Sequence, residues 1–249
     1  MNDLSFGMRG PEIGNFQRFL NTTFLKPDLI ADEIFGNLTR VATAAYQCHE
    51  KIHEKAGTVG PLTRKRALEQ GFIPFVPARN YTMVAITKPR HIDLIIVHTM
   101  ESPDKPDTAE RVAAWFAGSN APKASAHYNV DVDSIVQSVR DRDVAWHAPG
   151  ANHNGIGIEH AGYAKQTKED WKNAYNQAML LRSAKLVAWL CKEYNIPIER
   201  RTVDELKSKM RGICGHVDVT NAFSGGRGHW DPGPSWPWKD YLALVEENS

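Results

Sequence analysis

The sequence predicts an α/β fold, a central mixed β-sheet flanked by helices, preceded by a small three-helix all-α domain. Three observations carry this. From about His91 onward, short runs rich in β-branched residues alternate with segments of helical periodicity, the pattern of a layered α/β or α+β fold. Within residues 1–73, apolar residues recur at helical spacing in two successive segments. Between the two, residues 74–90 carry Pro74, Pro77 and Pro89 and no periodicity, which marks a connecting arm before a second domain over 91–249.

In the first domain, Phe16, Phe19 and Leu20 lie at helical spacing in GNFQRFLN, and Val41, Ala44, Ala45 and Cys48 do so in the next segment. FGNLTR at Phe35–Arg40 returns as VGPLTR at Val59–Arg64, 24 residues later. In each copy a glycine precedes a threonine placed to cap the following helix. The arm holds Phe75, Val76, Tyr81 and Val84, too apolar for a free tether, so it is expected to lie against the second domain.

The strand candidates of the second domain are Ile92–His98, His127–Val132, Ile135–Val139, Gly155–His160 and Ile213–Val217. Its helix candidates are Thr108–Gly118, Glu169–Tyr194, Val203–Met210 and Trp238–Glu246. The longest carries a stripe at Trp171, Tyr175, Ala178, Leu181, Ala184, Ala188 and Cys191, read as core packing.

Composition narrows the function. A net charge of +1 leaves no footprint for nucleic acid or an anionic membrane. Cys48, Cys191 and Cys214 are too few and too scattered for a disulfide framework or a cysteine-only metal site. MNDLSFGMRGPE lacks a basic leader followed by an apolar core, and no eighteen apolar residues run together. The expected product is a soluble monomer made in the cytoplasm without a signal peptide or membrane insertion, let out by something else if it works outside.

The chemistry gathers in Gly215–Trp238, GHVDVTNAFSGGRGHWDPGPSWPW, whose glycines and prolines read as a shaped loop rather than a helix or strand. It contains His216, His229 and Asp231. Far upstream, the apolar run Ile92–Val97 ends at His98, and strand ends project side chains into the crevice where open sheets bind ligands. Hydrolytic zinc takes three protein ligands, commonly imidazoles with a carboxylate, and leaves a place for water. One zinc ion held by His98, His216 and Asp231 is therefore expected. A competing set exists, because His98 and Glu101 form H-x-x-E, the start of a zinc carboxypeptidase-type site.

Five segments in order, IIVHTMES, ASAHYNVDVDSIVQSV, AWHAPGANHNGIGIEHAGY, CGHVDV and GHWDPGPSWPW, resemble the N-acetylmuramoyl-L-alanine amidase family, the zinc amidases related to peptidoglycan recognition proteins. The resemblance covers nearly all of residues 91–246. Ahead of it, the half-repeat with Asp32, Phe35, Gly36, Thr39 and Tyr46-Gln47 resembles the three-helix peptidoglycan-binding domain of cell-wall hydrolases, although Glu33 stands where glycine is usual. Together they resemble a bacteriophage endolysin made in the host cytoplasm and acting on the cell wall, with peptidoglycan as its partner.

That resemblance implies the metal ligands His98, His216 and Asp231, and Glu159 of IGIEHAG as catalytic acid. Alternation agrees, placing Gly155, Gly157 and Glu159 on one strand face and Ile156, Ile158 and His160 on the other. Two residues before the aspartate, many relatives carry a lysine that stabilises the oxyanion; this chain has His229, whose charge depends on pH as a lysine's does not. Trp146, His147 and Asn152, in the loop before Glu159, together with His127 and Trp230, are the expected substrate contacts. The alternative functions are a peptidoglycan-binding protein that does not cut, and a zinc peptidase acting on the wall peptide.

Overall fold

Ile13, Phe16, Phe19 and Leu20 of helix α1 (Pro11–Thr22) are all buried and begin the core of the first unit. The computed structural model describes residues 2–249 and divides into two compact units, Met1–Phe75 and Val76–Ser249. In the first, α2 (Asn37–His49) and α3 (Pro61–Glu69) close over α1, with Phe35, Tyr46, Val59 and Phe72 completing the core. The rings of Phe16 and Phe72 meet edge-on at 5.3 Å, the favoured aromatic geometry.

The repeat has a tertiary cause. Gly36 and Gly60 are the residues that precede the two helices, so Thr39 and Thr63 sit inside the first turn and do not cap it. Each threonine hydroxyl instead faces a buried glutamine from the preceding helix, Gln17 Nε2 at 3.0 Å and Gln47 Nε2 at 2.8 Å. The same two amides also bond the loop carbonyls of Ile34 and Thr58. A buried amide without such partners costs about 1–3 kcal/mol, so the glutamine and the threonine-bearing turn come as a pair. The buried face of α2 follows from this. It is Thr39, Ala42, Thr43, Tyr46 and Gln47, whereas Val41, Ala45 and Cys48 of the expected stripe lie exposed. Polar residues that satisfy one another displaced the aliphatic ones from the core side.

In the second unit the arm is packed. Val76 and Ala78 donate backbone hydrogen bonds to Gln137 and Ser138, and β1 (Tyr81–Thr82) pairs antiparallel with residues 144–145. Then come β2 (Leu94–Thr99), α4 (Thr108–Ala117), β3 (Tyr128–Val130), β4 (Ile135–Gln137), β5 (Val144–Ala145, the partner of β1) and β6 (Gly155–His160). The chain ends through α5 (Ala174–Glu193), α6 (Val203–Lys207), β7 (Gly212–Gly215), α7 (His216–Phe223) and α8 (Trp238–Glu247). The main sheet runs β4-β3-β6-β2-β7. It is mixed, because β4 alone is antiparallel to its neighbour.

Two faces follow from the register. Leu94 and Ile96 of β2 share a face with Gly155 and Gly157 of β6 and Cys214 of β7, and pack under α6 and α7 through Leu206 and Val219. On the other face His160 reaches α5, its Nε2 lying 2.6 Å from Ser183 Oγ. The buried side of α5 is Met179, Leu180, Ser183, Ala184, Val187 and Leu190, while Ala178 and Leu181 of the expected stripe are exposed. Among the described residues no helix is long and apolar enough to cross a membrane.

Candidate active site

His98 is the fifth residue of β2, where the sheet's parallel strands end. Glu159 stands opposite it in register on β6, so both side chains leave the sheet on the same face. His216 arrives differently from the expectation. The segment after β7 is helical over His216–Phe223, and His216 opens that helix instead of extending a strand. Asp218 supports the turn by accepting the Gly215 N–H at 2.9 Å, which relieves one orphan donor of the helix start. A second donor, the Val217 N–H, goes to the Asp231 carbonyl at 2.8 Å and ties the later loop to the helix. The approach is close: a side chain at Gly215 would meet Pro232 Cδ at 2.7 Å.

These supports bring three ligand atoms together. His98 Nδ1 lies 3.1 Å from Asp231 Oδ2, and His216 Nδ1 lies 3.1 Å from Asp231 Oδ1. All three residues are buried, and their ligand atoms fall within 4.8 Å of one another. Burial would raise the Asp231 carboxyl, but the hydrogen bonds and charges of His216 and His98 outweigh it and hold it well below the carboxylate range. Burial and the neighbouring His216 bring His98 down to about 4, so its imidazole is neutral at pH 7. Two imidazoles and a carboxylate, convergent and buried, fit a divalent cation of the zinc type.

Glu159 has the opposite environment. Burial, then the charges of Asp231 and Glu101, push its carboxyl well above the ordinary value. Its Oε2 is buried without a hydrogen-bond partner, a state that costs about 1–3 kcal/mol unless a proton, water or substrate answers it. A carboxyl so placed is suited to carrying a proton near neutral pH. Glu101, the other acid near His98, is engaged elsewhere: its Oε1 accepts from Thr99 Oγ1 at 2.8 Å and from the Ala164 N–H at 2.7 Å.

The other expected residues separate into two groups. His229 is largely exposed, its ring stacked on His216 at 4.6 Å, with Nδ1 3.7 Å from Asp231 Oδ1. Trp230 is half exposed beside it, and Trp146 is fixed at the surface by its Nε1–H bond to Thr82. His147, His127 and Asn152 lie beneath. Asn152 Oδ1 accepts the backbone N–H groups of His147 and Ala148, which folds the loop. His127 is fully buried; its Nδ1 accepts the Gly157 N–H, and its Nε2 lies 3.1 Å from the Asp143 carbonyl. His147 lies between, with Nδ1 3.0 Å from His98 Nε2. Burial holds both His127 and His147 far below the ordinary histidine value.

Arg90 is the residue that sequence reasoning passed over. Its guanidinium bonds the carbonyls of Asp141, Asn152, His153 and Gly155 and approaches His127 Nε2 at 2.9 Å. It pins both ends of the loop that carries His147. Burial lowers it to about 10, still charged at neutral pH. The one available signal was a lone arginine, among prolines, just before an apolar strand.

The fold and the site define a class: an α/β domain with a mixed central sheet, a His–His–Asp set at the strand ends that could hold a metal, and a buried carboxyl opposite it. Residues 88–234 match the family model for N-acetylmuramoyl-L-alanine amidase, more than half of the chain, and the chain belongs to that family of peptidoglycan hydrolases. It is 29% identical over 155 residues to N-acetylmuramoyl-L-alanine amidase A of Achromobacter lyticus, a match covering 61% of this chain and 81% of that one. Among solved structures it is similar to the hydrolase AmiA of Staphylococcus aureus, at 15% identity, 69% and 84% coverage and a TM-score of 0.48. It is also similar to a mutant endolysin from Bacillus subtilis, at 17% identity, 70% and 99% coverage and a TM-score of 0.44.

Proposed function

We propose that the chain is an endolysin, made in the cytoplasm of a bacteriophage host, that cleaves the amide between N-acetylmuramic acid and L-alanine with one zinc ion held by His98, His216 and Asp231. The observation that carries this is the buried triad with Glu159 in register beside it. When bound, zinc supplies a Lewis acid that polarises the amide carbonyl and lowers the pKa of water from about 15.7 to roughly 7. Glu159 takes a proton as water attacks and passes it to the leaving amine of L-alanine, a role suited to a carboxyl whose buried oxygen has no other partner. His229, exposed and stacked at the rim, donates an N–H to the developing oxyanion. Trp146 and Trp230, partly exposed, give apolar faces against which sugar rings pack. His147, His127 and Asn152 act from beneath by holding the loop and the metal ligand. The first unit binds the wall, which keeps the hydrolase on an insoluble substrate.

Digestion of purified cell wall tests this, with and without a chelator. New L-alanine amino groups without new reducing sugars, lost to the chelator and restored by zinc, are the expected result. New reducing ends, or wall binding without release, overturn it.

A further inference from the structure

The hydrogen bonds around His98 set a constraint that reaches one residue further, to His147; the argument rests on the metal reading above. A neutral imidazole has one proton for two nitrogens. Asp231, ionised, only accepts, so without an ion the His98 proton sits on Nδ1, facing Asp231 Oδ2 at 3.1 Å. His98 Nε2 then accepts, and the proton shared over the 3.0 Å contact belongs to His147 Nδ1. His147 Nε2 is left bare, and it is a buried nitrogen without a protein partner.

A cation on His98 Nδ1 reverses each assignment. The His98 proton must sit on Nε2, His147 Nδ1 must accept it, and the His147 proton must sit on Nε2. We infer that His98 and His147 change tautomer together when the metal binds, which makes His147 the positioning residue that lets His98 present a bare Nδ1. The balance is closed. His147 passes its Nδ1 proton to His98 Nε2, His98 releases its Nδ1 proton to water, and His147 Nε2 takes one from water, so neither ring changes charge. His147 Nε2 becomes a donor in the loaded protein.

The surroundings hold the His147 ring for this exchange. Its backbone N–H is anchored by Asn152 Oδ1 at 3.0 Å. Its ring lies against Gly157, where an added Cβ would come within 2.5 Å of its Cγ. No other hydrogen-bond partner of His98 Nε2 is found among the described residues.

Zinc affinity by competition with a chromophoric chelator at fixed pH tests the inference on the full chain, with His147→Asn and His147→Leu. The asparagine oxygen stands where Nδ1 does and accepts the His98 bond; leucine cannot. The expected result is near-native affinity for the asparagine variant and a loss of roughly 10–100-fold for the leucine variant, the usual effect of removing an outer-shell partner. Equal affinity of leucine variant and wild type, or an asparagine variant as weak as leucine, overturns it. If the leucine variant does not fold, long-range 1H–15N spectra of the wild type decide. His147 must carry its proton on Nδ1 without zinc and on Nε2 with it; one tautomer in both states overturns the inference. A wild type that binds no zinc removes the metal reading itself, a distinguishable result.

Discussion

His98 and Glu159 stand in register on neighbouring parallel strands, one imidazole neutral and one carboxyl poised to hold a proton, on the same face of the sheet. The strand pairing fixes their separation, so no loop is needed to bring the two side chains together. Glu159→Gln keeps the shape and removes the proton transfer. It is expected to lower the turnover of cell wall by about 10²–10⁴-fold while leaving zinc affinity within a factor of two to three. Amino-group release and chelator competition on the same preparation check both halves; a variant keeping a tenth of the wild-type rate would falsify the role.

Metal removal and Asp231 are linked. A ligand that binds only the folded state adds about 4 kcal/mol at a thousandfold excess over its Kd. The melting temperature of the wild type is therefore expected to fall on adding a chelator, whereas Asp231→Ala, lacking the carboxylate that joins His98 and His216, melts at one temperature with or without it. Equal chelator shifts in the two proteins count against the triad as the metal site.

Acid should weaken the second unit before the first. Burial lowers His160 to about 4, so the folded state refuses a proton that the unfolded chain takes up below about 6.5. Its stability contribution is present above pH 6.5 and is lost progressively down to about 4, at up to ~1.4 kcal/mol per pH unit for each such histidine. In the first unit Asp32, Glu50 and Glu54 are lowered instead, by hydrogen bonds from Gln17 and Arg66 for the first two and, against burial, from Thr63 for the third. Their contribution is present above the carboxylate range and is lost only below about pH 4. All seven tryptophans lie between Trp115 and Trp238, so tryptophan fluorescence reads the second unit alone. Its urea midpoint is expected to drop between pH 7 and pH 5; a constant midpoint contradicts the assignment.

The strands and the convergence of His98, His216 and Asp231 were legible because apolar runs, motif order and the IGIEHAG alternation all point to one end of the sheet. Helix α7 was not. Glycines and prolines around it read as loop, while the eight residues from His216 to Phe223 make a helix whose start is held by Asp218 and by the Asp231 carbonyl, a partner far along the chain. The inner face of α2 was hidden for a related reason. Thr39, Thr43 and Gln47 look like surface residues until their partners are known. Arg90 and Asn152 hold backbone carbonyls and amides, and such roles depend on the path of the chain, which residue identity does not encode.

Gly157 gives a steric test of the His147 contact. It lies in β6 at ordinary backbone angles, so its need for glycine comes from space alone: a Cβ there would stand 2.5 Å from His147 Cγ and 2.6 Å from its Nδ1. The His147 ring cannot yield without leaving His98 Nε2, 3.0 Å away. Gly157→Ala is therefore expected to cost about 1–3 kcal/mol of stability by overpacking, and to weaken zinc binding in the same protein. Gly228→Ala, in the exposed loop near His229, serves as the control: the nearest atom to its Cβ is 3.5 Å away. Its left-handed φ makes it costly for stability too, but its effect on zinc affinity should be small. Urea denaturation and chelator competition on both variants separate the two effects. A Gly157→Ala protein that is destabilised yet binds zinc as the wild type does would show that His147 can move without consequence for His98.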